Sequence, residues 1–445
     1  MCPNPRRAFA LSLLALFAAA LLSAPALVAQ EAGLDASDAV PFREGEKISF
    51  EDIERLRQYL PEEFWANRDF FFYEGMALEI GPFFRDYGPA PVYKEATRKN
   101  AADVRLGPES SLENYRSGQP FPMENIDCAG DPQAGAKLAW NFIRRWEGAG
   151  GFAEFYYSYW DRGEELPLYY QGKSRGISLA YRPEEKFESQ AGDVFRGERR
   201  ISAGGPSVDA PFDARGIMLL TYNYKSSFKT KAEMKNSDTW VYLPTLRRVR
   251  RISTAQRTDA VAGTDFTMDD LFSFNGIVPQ YRWECLGEMD LIAPVNTRER
   301  AFPYNPDHNF GPYGLSYADD RWELRHAIKI RFVPNNSDHP YHHKDIYIDK
   351  NSMEPLYSFA YDRKQEMWKV ITHNHRWSDD PEFVEYIGWD EVPEPRDLTV
   401  VSDTIVNVQT GTGNRIEFWA RTGMPMKSKG RIRRYIDVGR LTKGR

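Results

Sequence analysis

The sequence predicts a mainly β protein with helices (α+β): one large antiparallel sheet, curled to bury a face, behind a helical and irregular arm. Three observations carry that reading. Apolar residues recur at every second position from Phe152 onward, helical crossovers are nearly absent there, and 14% of the chain is aromatic. Aromatic rings suit a pleated, half-buried surface because they fill it and carry a polar edge.

The first element is a leader. Arg6 and Arg7 precede an apolar run from Ala8 to Leu22, which is too short to span a bilayer. Small residues follow, ending Ala24-Pro25-Ala26 and Leu27-Val28-Ala29. Residues 1–29 therefore read as a secretory signal peptide, cut after Ala26 or Ala29. Cys2 lies ahead of the apolar run, where a lipoprotein signal needs its cysteine behind it, so a soluble exported protein is expected. Loss of Arg6 and Arg7 takes the formal charge from −6 to −8. An acidic exported chain is a poor match for nucleic acid. The remaining cysteines, Cys128 and Cys285, are either a disulfide or two separate buried thiols.

Residues 30–150 form the arm. Ser49 and Asp52 resemble a cap, and Ile53, Leu56 and Leu60 share a face, which predicts a helix of about three turns stopped near Pro61. Gly-Pro pairs between residues 81 and 122 predict chain that wraps over a surface. Asp131-Pro132 begins a second helix with Ala136, Ala139, Trp140, Ile143 and Trp146 on its apolar face, ending at Gly148.

From Phe152 the period is two. Strands are expected at 152–160, 177–181, 216–224, 239–243, 248–252, 281–285, 323–333, 345–349, 355–361, 367–375, 398–408 and 415–421. Met218, Leu220, Tyr222 and Tyr224 alternate onto one face, as do Ile328, Ile330 and Phe332. The stretch 264–272 interrupts the strands with acids in a first helical turn and with Phe266, Leu271, Phe272 and, just after, Phe274. A short apolar helix or loop there would lie across the mouth of an open barrel.

These residues also carry a family resemblance. The run from Trp240 to Ser253, WVYLPTLRRVRRIS, followed by GTDFTMDDL from Gly263 to Leu271, closely resembles a signature of periplasmic proteins similar to outer-membrane lipoprotein-sorting factors. It looks most like their large branch known as a domain of unknown function, related in fold to LolA and LolB. Phe274-Asn275-Gly276, YRWE from Tyr281 with Gly287 after it, Tyr347–Asp349, Met353–Pro355, Tyr361-Asp362 and Trp368–Val370 fit the following blocks. Tyr115, Gly118–Pro122 and Ala139–Asn141 fit upstream. The likeness covers residues 115–375 and fades before 110 and beyond 430.

The resemblance implies an unclosed antiparallel β half-barrel, LolA/LolB-like, with a helical lid and an N-terminal helical arm. The half-barrel would occupy residues 151–430, leaving 431–445 as a basic tail. It further implies a periplasmic, non-catalytic protein that binds a lipid or other hydrophobic or acylated molecule. Candidate partners are an outer-membrane β-barrel or an inner-membrane lipid exporter. No cofactor is expected. Burial of each acyl CH₂ in such a barrel contributes about 0.8 kcal/mol. Candidate lining residues are Leu220, Tyr222, Trp240, Tyr242, Phe266, Leu271, Phe272, Phe274 and Trp283, each of which could equally be ordinary core. A register slip of one residue would turn the strand members outward.

Arg247, Arg248, Arg250 and Arg251 form the densest basic cluster. Arg248 and Arg250 share a strand face and are candidate contacts for an anionic headgroup. The competing reading pairs the cluster with carboxylates such as Asp265, Asp269 and Asp270. All seven histidines fall between 308 and 375. His339, His342 and His343 could offer metal ligands with Asp338 and Asp345, and His373 shares a strand face with His375. No His-Glu-x-x-His helix accompanies them, and solvated or core imidazoles are the expectation. No Gly-x-Ser-x-Gly elbow occurs. The function expected is lipid binding and trafficking to or from the outer membrane. The alternatives are an assembly or adaptor factor that docks on an outer-membrane barrel without carrying lipid, and a metal-dependent hydrolase built on the histidines.

Overall fold

The computed structural model describes residues 40–161, 166, 168–225, 235–252, 257–298, 310–380, 395–423 and 429–443. The expected signal peptide at residues 1–29 and His308 lie outside these residues. Pro41–Arg445 forms one compact unit.

The arm supplies β1 (Lys47–Ser49), α1 (Glu62–Ala66), β2 (Ala77–Ile80), α2 (Pro91–Asn100), a small hairpin of β3 (Arg105–Leu106) and β4 (Leu112–Glu113), and α3 (Ala134–Ile143). The strands that follow are β5 (Gly150–Trp160), β6 (Leu168–Ser178), β7 (Arg200–Ala210), β8 (Met218–Tyr224), β9 (Asp238–Leu243), β10 (Arg248–Ile252) and β11 (Tyr281–Ala293). β12 (Arg321–Pro334), β13 (Tyr341–Asp349), β14 (Pro355–Asp362), β15 (Met367–Trp377), β16 (Leu398–Asn407) and β17 (Thr412–Gly423) complete them, and α4 (Lys429–Tyr435) closes the chain.

Fifteen of these strands make one large unclosed sheet in the order β1-β2-β12-β13-β14-β15-β16-β17-β5-β6-β7-β8-β9-β10, with β11 on β12. Every pairing is antiparallel except β2 with β12. Two strands of the arm thus extend the sheet. The helix expected before Pro61 is wound as a 3-10 helix over Phe50–Tyr59 with Ile53 and Leu56 buried. A spacing of three aligns those two side chains in a three-residue turn. The helix expected from Asp131 starts at Ala134.

Following the register from strand to strand separates the two faces. One face carries Trp283, Ile330, Phe332, Ile346 and Ala360, covered by α3, and then Ile371, Ile405, Ile416 and Tyr157, covered by the segment around Phe266. We call this the lid face. Gly135 lets α3 lie close to β11, since a Cβ there would come within 2.5 Å of the Glu284 nitrogen. Cys128 and Cys285 form a disulfide beside this contact, with Cα atoms 5.4 Å apart.

The opposite face is covered at the β6–β10 end by the C-terminal segment. Ile432, Tyr435, Ile436, Val438 and Leu441 pack on Ile177, Ala203, Met218, Leu220 and Tyr222. We call this the tail face. The described residues from 431 to 443 therefore seal the sheet, where a basic tail was expected over 431–445.

Candidate functional site

Three of the segments that cover the sheet are fixed in different ways. The lid segment is bolted by charge. Asp270 is fully buried and accepts hydrogen bonds from Lys344 Nζ at 2.7 Å, Lys369 Nζ at 2.9 Å and the Tyr341 hydroxyl at 2.8 Å. Burial pushes the Asp270 carboxyl up, but Lys344 and Lys369 more than reverse this and hold it far below the usual carboxylate range. Asp269 accepts from Arg257 Nε at 2.8 Å and the Tyr281 hydroxyl at 3.1 Å. These acids serve the lid and are not the partners of the arginine cluster.

Ser273, His373 and Asp403 extend the bolt. Ser273 Oγ lies 2.6 Å from His373 Nε2, and His373 Nδ1 lies 2.6 Å from Asp403 Oδ1. The order resembles a nucleophile, base and acid. All three residues are fully buried, however, and the Ser273 carbonyl accepts from Lys344 Nζ at 3.1 Å. The chain of bonds ties the lid to β15 and β16. Phe272 and Ser273 both have left-handed backbone, φ +52° and +67°, so the expected short helix is here a strained 3-10 turn.

α3 is fixed by the disulfide and by Asn141, whose amide donates to the Phe121 carbonyl at 2.6 Å. The C-terminal segment differs. Its contacts are largely apolar, supplemented by the Tyr222 hydroxyl donating to the Ile436 carbonyl, Lys429 Nζ donating to Gln190 at 3.0 Å and an Arg433–Glu198 pair at 3.4 Å.

The predicted lining residues divide among these covers. Phe274 and Trp283 are core beneath α3, with ring centroids 4.9 Å apart. Leu220, Tyr222, Trp240 and Tyr242 lie on the tail face, packed with the C-terminal segment. They do not share a cavity with Phe266, Leu271 and Phe272, which sit on the lid face. The physical reason is that β8 and β9 carry apolar side chains on both faces, so alternation alone does not say which set meets the lid.

The register places Leu219, Val241 and Leu243 on the lid face instead, with Arg248 opposite Leu243 and Arg250 opposite Val241. Across the sheet, Phe155, Leu168, Tyr170, Leu271, Phe272 and Phe418 are half-buried on the same face. Phe272 and Phe418 are 6.0 Å apart. Between these two apolar walls β6 and β7 present small residues, Ser174 and Gly176 opposite Pro206 and Gly204. A Cβ added at Gly176 would meet nothing within 4 Å. These residues make a half-buried apolar face across β5–β10, five strand spacings or roughly 24 Å wide, with small residues at its middle and arginines at its border, which we call the trough. Arg248 and Arg250 are exposed and make no ion pair among the described residues, whereas Arg251 pairs with Asp238 on the tail side.

The histidines are dispersed. His326 Nδ1 lies 2.5 Å from Asp290 at the surface, His339 Nε2 3.6 Å from Asp269, and His342 against His343. Burial lowers His343 to about 4, and burial together with His373 lowers His375 well below its usual value. No group of three metal-ligating side chains occurs among the described residues. A cleft of about 680 Å³ between the Phe50–Ala66 stretch and β11–β13 is walled by Glu54, Arg55, Arg57, Glu63 and Lys329 and is too charged for an apolar ligand. No helix among the described residues is long and apolar enough to cross a membrane.

Fold and site together define a mainly β protein built on one unclosed sheet, with an apolar trough on the face that carries its lid. The chain belongs to the family described as Protein of unknown function (DUF1329), which it matches over residues 48–435. Over 291 residues it is 24% identical to Uncharacterized protein PA3922 of Pseudomonas aeruginosa, an alignment covering 63% of this chain and 58% of that relative. The chain thus spans less than two thirds of that relative's length. A DUF1329 family protein from Desulfovibrio piger is similar in structure at 18% identity and a TM-score of 0.45, covering 70% of this chain and 99% of that one. A LolA superfamily protein from Nitrosomonas europaea shows 10% identity and a TM-score of 0.34, covering 65% and 91%.

Proposed function

We propose that this protein binds a lipid or other hydrophobic, acylated molecule in the lid-face trough and carries it through the periplasm, to or from the outer membrane, without covalent chemistry. One observation carries the reading: the half-exposed apolar trough over β5–β10 has a floor of small residues and, at its border, two arginines with no ion pair among the described residues. Each CH₂ laid on the trough contributes about 0.8 kcal/mol, so about ten carbons outweigh moderate binding costs. Arg248 and Arg250 suit a phosphate or carboxylate head. The signal-peptide pattern of residues 1–29, a basic pair, a short apolar run and small residues, supports export.

Mass spectrometry of lipid extracted from the protein purified from the periplasm tests this. The trough also offers a blocking substitution. Gly176 has ordinary backbone and open space above it, so Gly176→Phe fills the floor without strain. Fatty-acid or phospholipid binding is expected to fall at least about tenfold. A protein that is repeatedly empty, or a Gly176→Phe variant that binds like the parent, sinks the proposal. Crosslinking to an outer-membrane barrel that is undiminished by Gly176→Phe would instead favour the adaptor reading.

A further inference from the structure

The strand register lays two rows of residues straight across the lid face from β5 to β10. The first runs Phe155, Gly172, Val208, Ile217, Leu243 and Arg248. The second runs Ala153, Ser174, Pro206, Leu219, Val241 and Arg250. Neither carries a charge before its arginine. On one flank the face turns polar: Thr221 and Thr239 share a hydrogen bond of 2.9 Å, and beyond them Asn223 is bonded to Ser202 and Ser237. Within the trough the two rows form an apolar lane that crosses the strands.

The ends of the lane differ. At β10 it is open, because among the described residues β10 pairs with β9 alone. Arg248 and Arg250 are exposed there, while Asp238, the one carboxylate of β9 and β10, lies on the tail face with Arg251. At β5 the lane is stopped. The Phe155 ring lies 6.3 Å from Phe418, Phe418 lies 6.0 Å from Phe272 of the lid, and behind them Tyr157, Ile405 and Ile416 are buried. The bolt through Asp270 holds this wall in place.

An uncharged lane with cations at its open end and rings at its closed end fits one kind of molecule and sets its length. From β9 to β5 it crosses four strand spacings, roughly 19 Å. An extended chain with C–C bonds of about 1.5 Å advances about 1.25 Å per carbon, so about 16 carbons fill the lane. We propose that the cargo is an acyl molecule with an anionic head and a chain of about 16 carbons, its head on Arg248 and Arg250 and its methyl end against Phe155. This rests on the reading of the trough as a lipid site and adds to it a chain direction and a length limit.

The test is displacement of a fluorescent fatty acid from the full chain, purified from the periplasm and stripped of lipid. The competitors are saturated fatty acids and lysophosphatidic acids of 10 to 22 carbons, which separate a carboxylate head from a phosphate one. In the better-bound series affinity should rise about fourfold for every two carbons, since the open lane covers one side of the chain. The rise should end at about 16 carbons, with less than about twofold change beyond. Arg248→Gln with Arg250→Gln should weaken every length about fivefold and leave the limit where it is. Phe155→Ala moves the stop back one strand to Phe418, so the limit should shift by about four carbons while shorter chains bind as before. The length series on the parent protein decides alone if Phe155→Ala does not fold. Affinity that climbs steadily past 18 carbons, or a limit that folded Phe155→Ala leaves in place, overturns the proposal and leaves lipid binding standing. Protein that binds neither series at any length removes both.

Discussion

Asp270 shows how much can depend on one side chain. Two lysines, a tyrosine hydroxyl and Thr267 all converge on its carboxylate inside the core. Asp270→Asn keeps the shape and leaves two buried ammonium groups short of their counter-charge. A loss of about 3–5 kcal/mol in urea unfolding is expected, because breaking a buried ion pair costs more than the pair contributes. A second buried acid behaves differently. Glu323 accepts from the Tyr87 hydroxyl at 2.7 Å and sits 3.9 Å from the nearest Arg325 nitrogen, too far for a firm pair. Burial raises it to about 7, only partly offset by Tyr87 and Arg325. A carboxyl raised in the folded state contributes stability at low pH and loses it as pH climbs from its unfolded value of 4.5 to about 7. Glu323→Gln should therefore flatten the fall in melting temperature over that range, and an unchanged profile would remove Glu323 as its source. Neither role was legible in the sequence. Asp269 and Asp270 stand close to the arginine cluster along the chain, yet their cations come from β13, β15 and Arg257, and nothing in composition or spacing marks Lys344 or Lys369 as buried.

At the scale of elements, the strands from β8 to β17 were largely readable, since alternation and turn residues agree along them. β10 falls on the expected 248–252. β7 was not readable. Its sequence RISAGGPSVDA contains two glycines and a proline, which mark a break in almost any strand, and Gly204 and Pro206 among them form part of the trough floor. The same residues that hid the strand make the site. The C-terminal segment was hidden for a related reason: Ile432, Ile436 and Leu441 are interspersed with Arg431, Arg433, Arg434 and Arg440, so charge masks a helical apolar stripe. Ile436 is 5% exposed and Ile432 2%, so Ile436→Ala should cost about 2–5 kcal/mol and Ile432→Ala a similar amount. Ending the chain at residue 428 uncovers Leu220 and Tyr222, and increased binding of a hydrophobic dye is the expected readout. If dye binding and stability both match the full chain, the segment is not the cover described here.

At the scale of the whole molecule, the bond between Cys128 and Cys285 links chain positions separated by 157 residues. It ties the loop before α3 to β11, an edge of the sheet that the β11 bulge at Gly287 already bends. In the chain-entropy account, closing a loop of this length stabilises by about 5 kcal/mol, a large part of the roughly 5–15 kcal/mol that holds a typical domain. Cys128→Ala with Cys285→Ala should therefore lower the urea midpoint strongly and loosen α3 first, because what then holds that helix to the sheet is apolar packing, its polar bonds from Lys137, Trp140 and Asn141 going to Asp131, Ser110 and Phe121 of the arm itself. The lid segment, bolted through Asp270 and His373, should keep its protection against hydrogen exchange to higher denaturant. Equal loss at α3 and at the lid would mean that the sheet and its covers unfold as one cooperative body and that the bridge acts on all of it. Loss confined to α3 would make the oxidised state a condition for closing that end of the sheet, independent of whether the trough at the other end is filled.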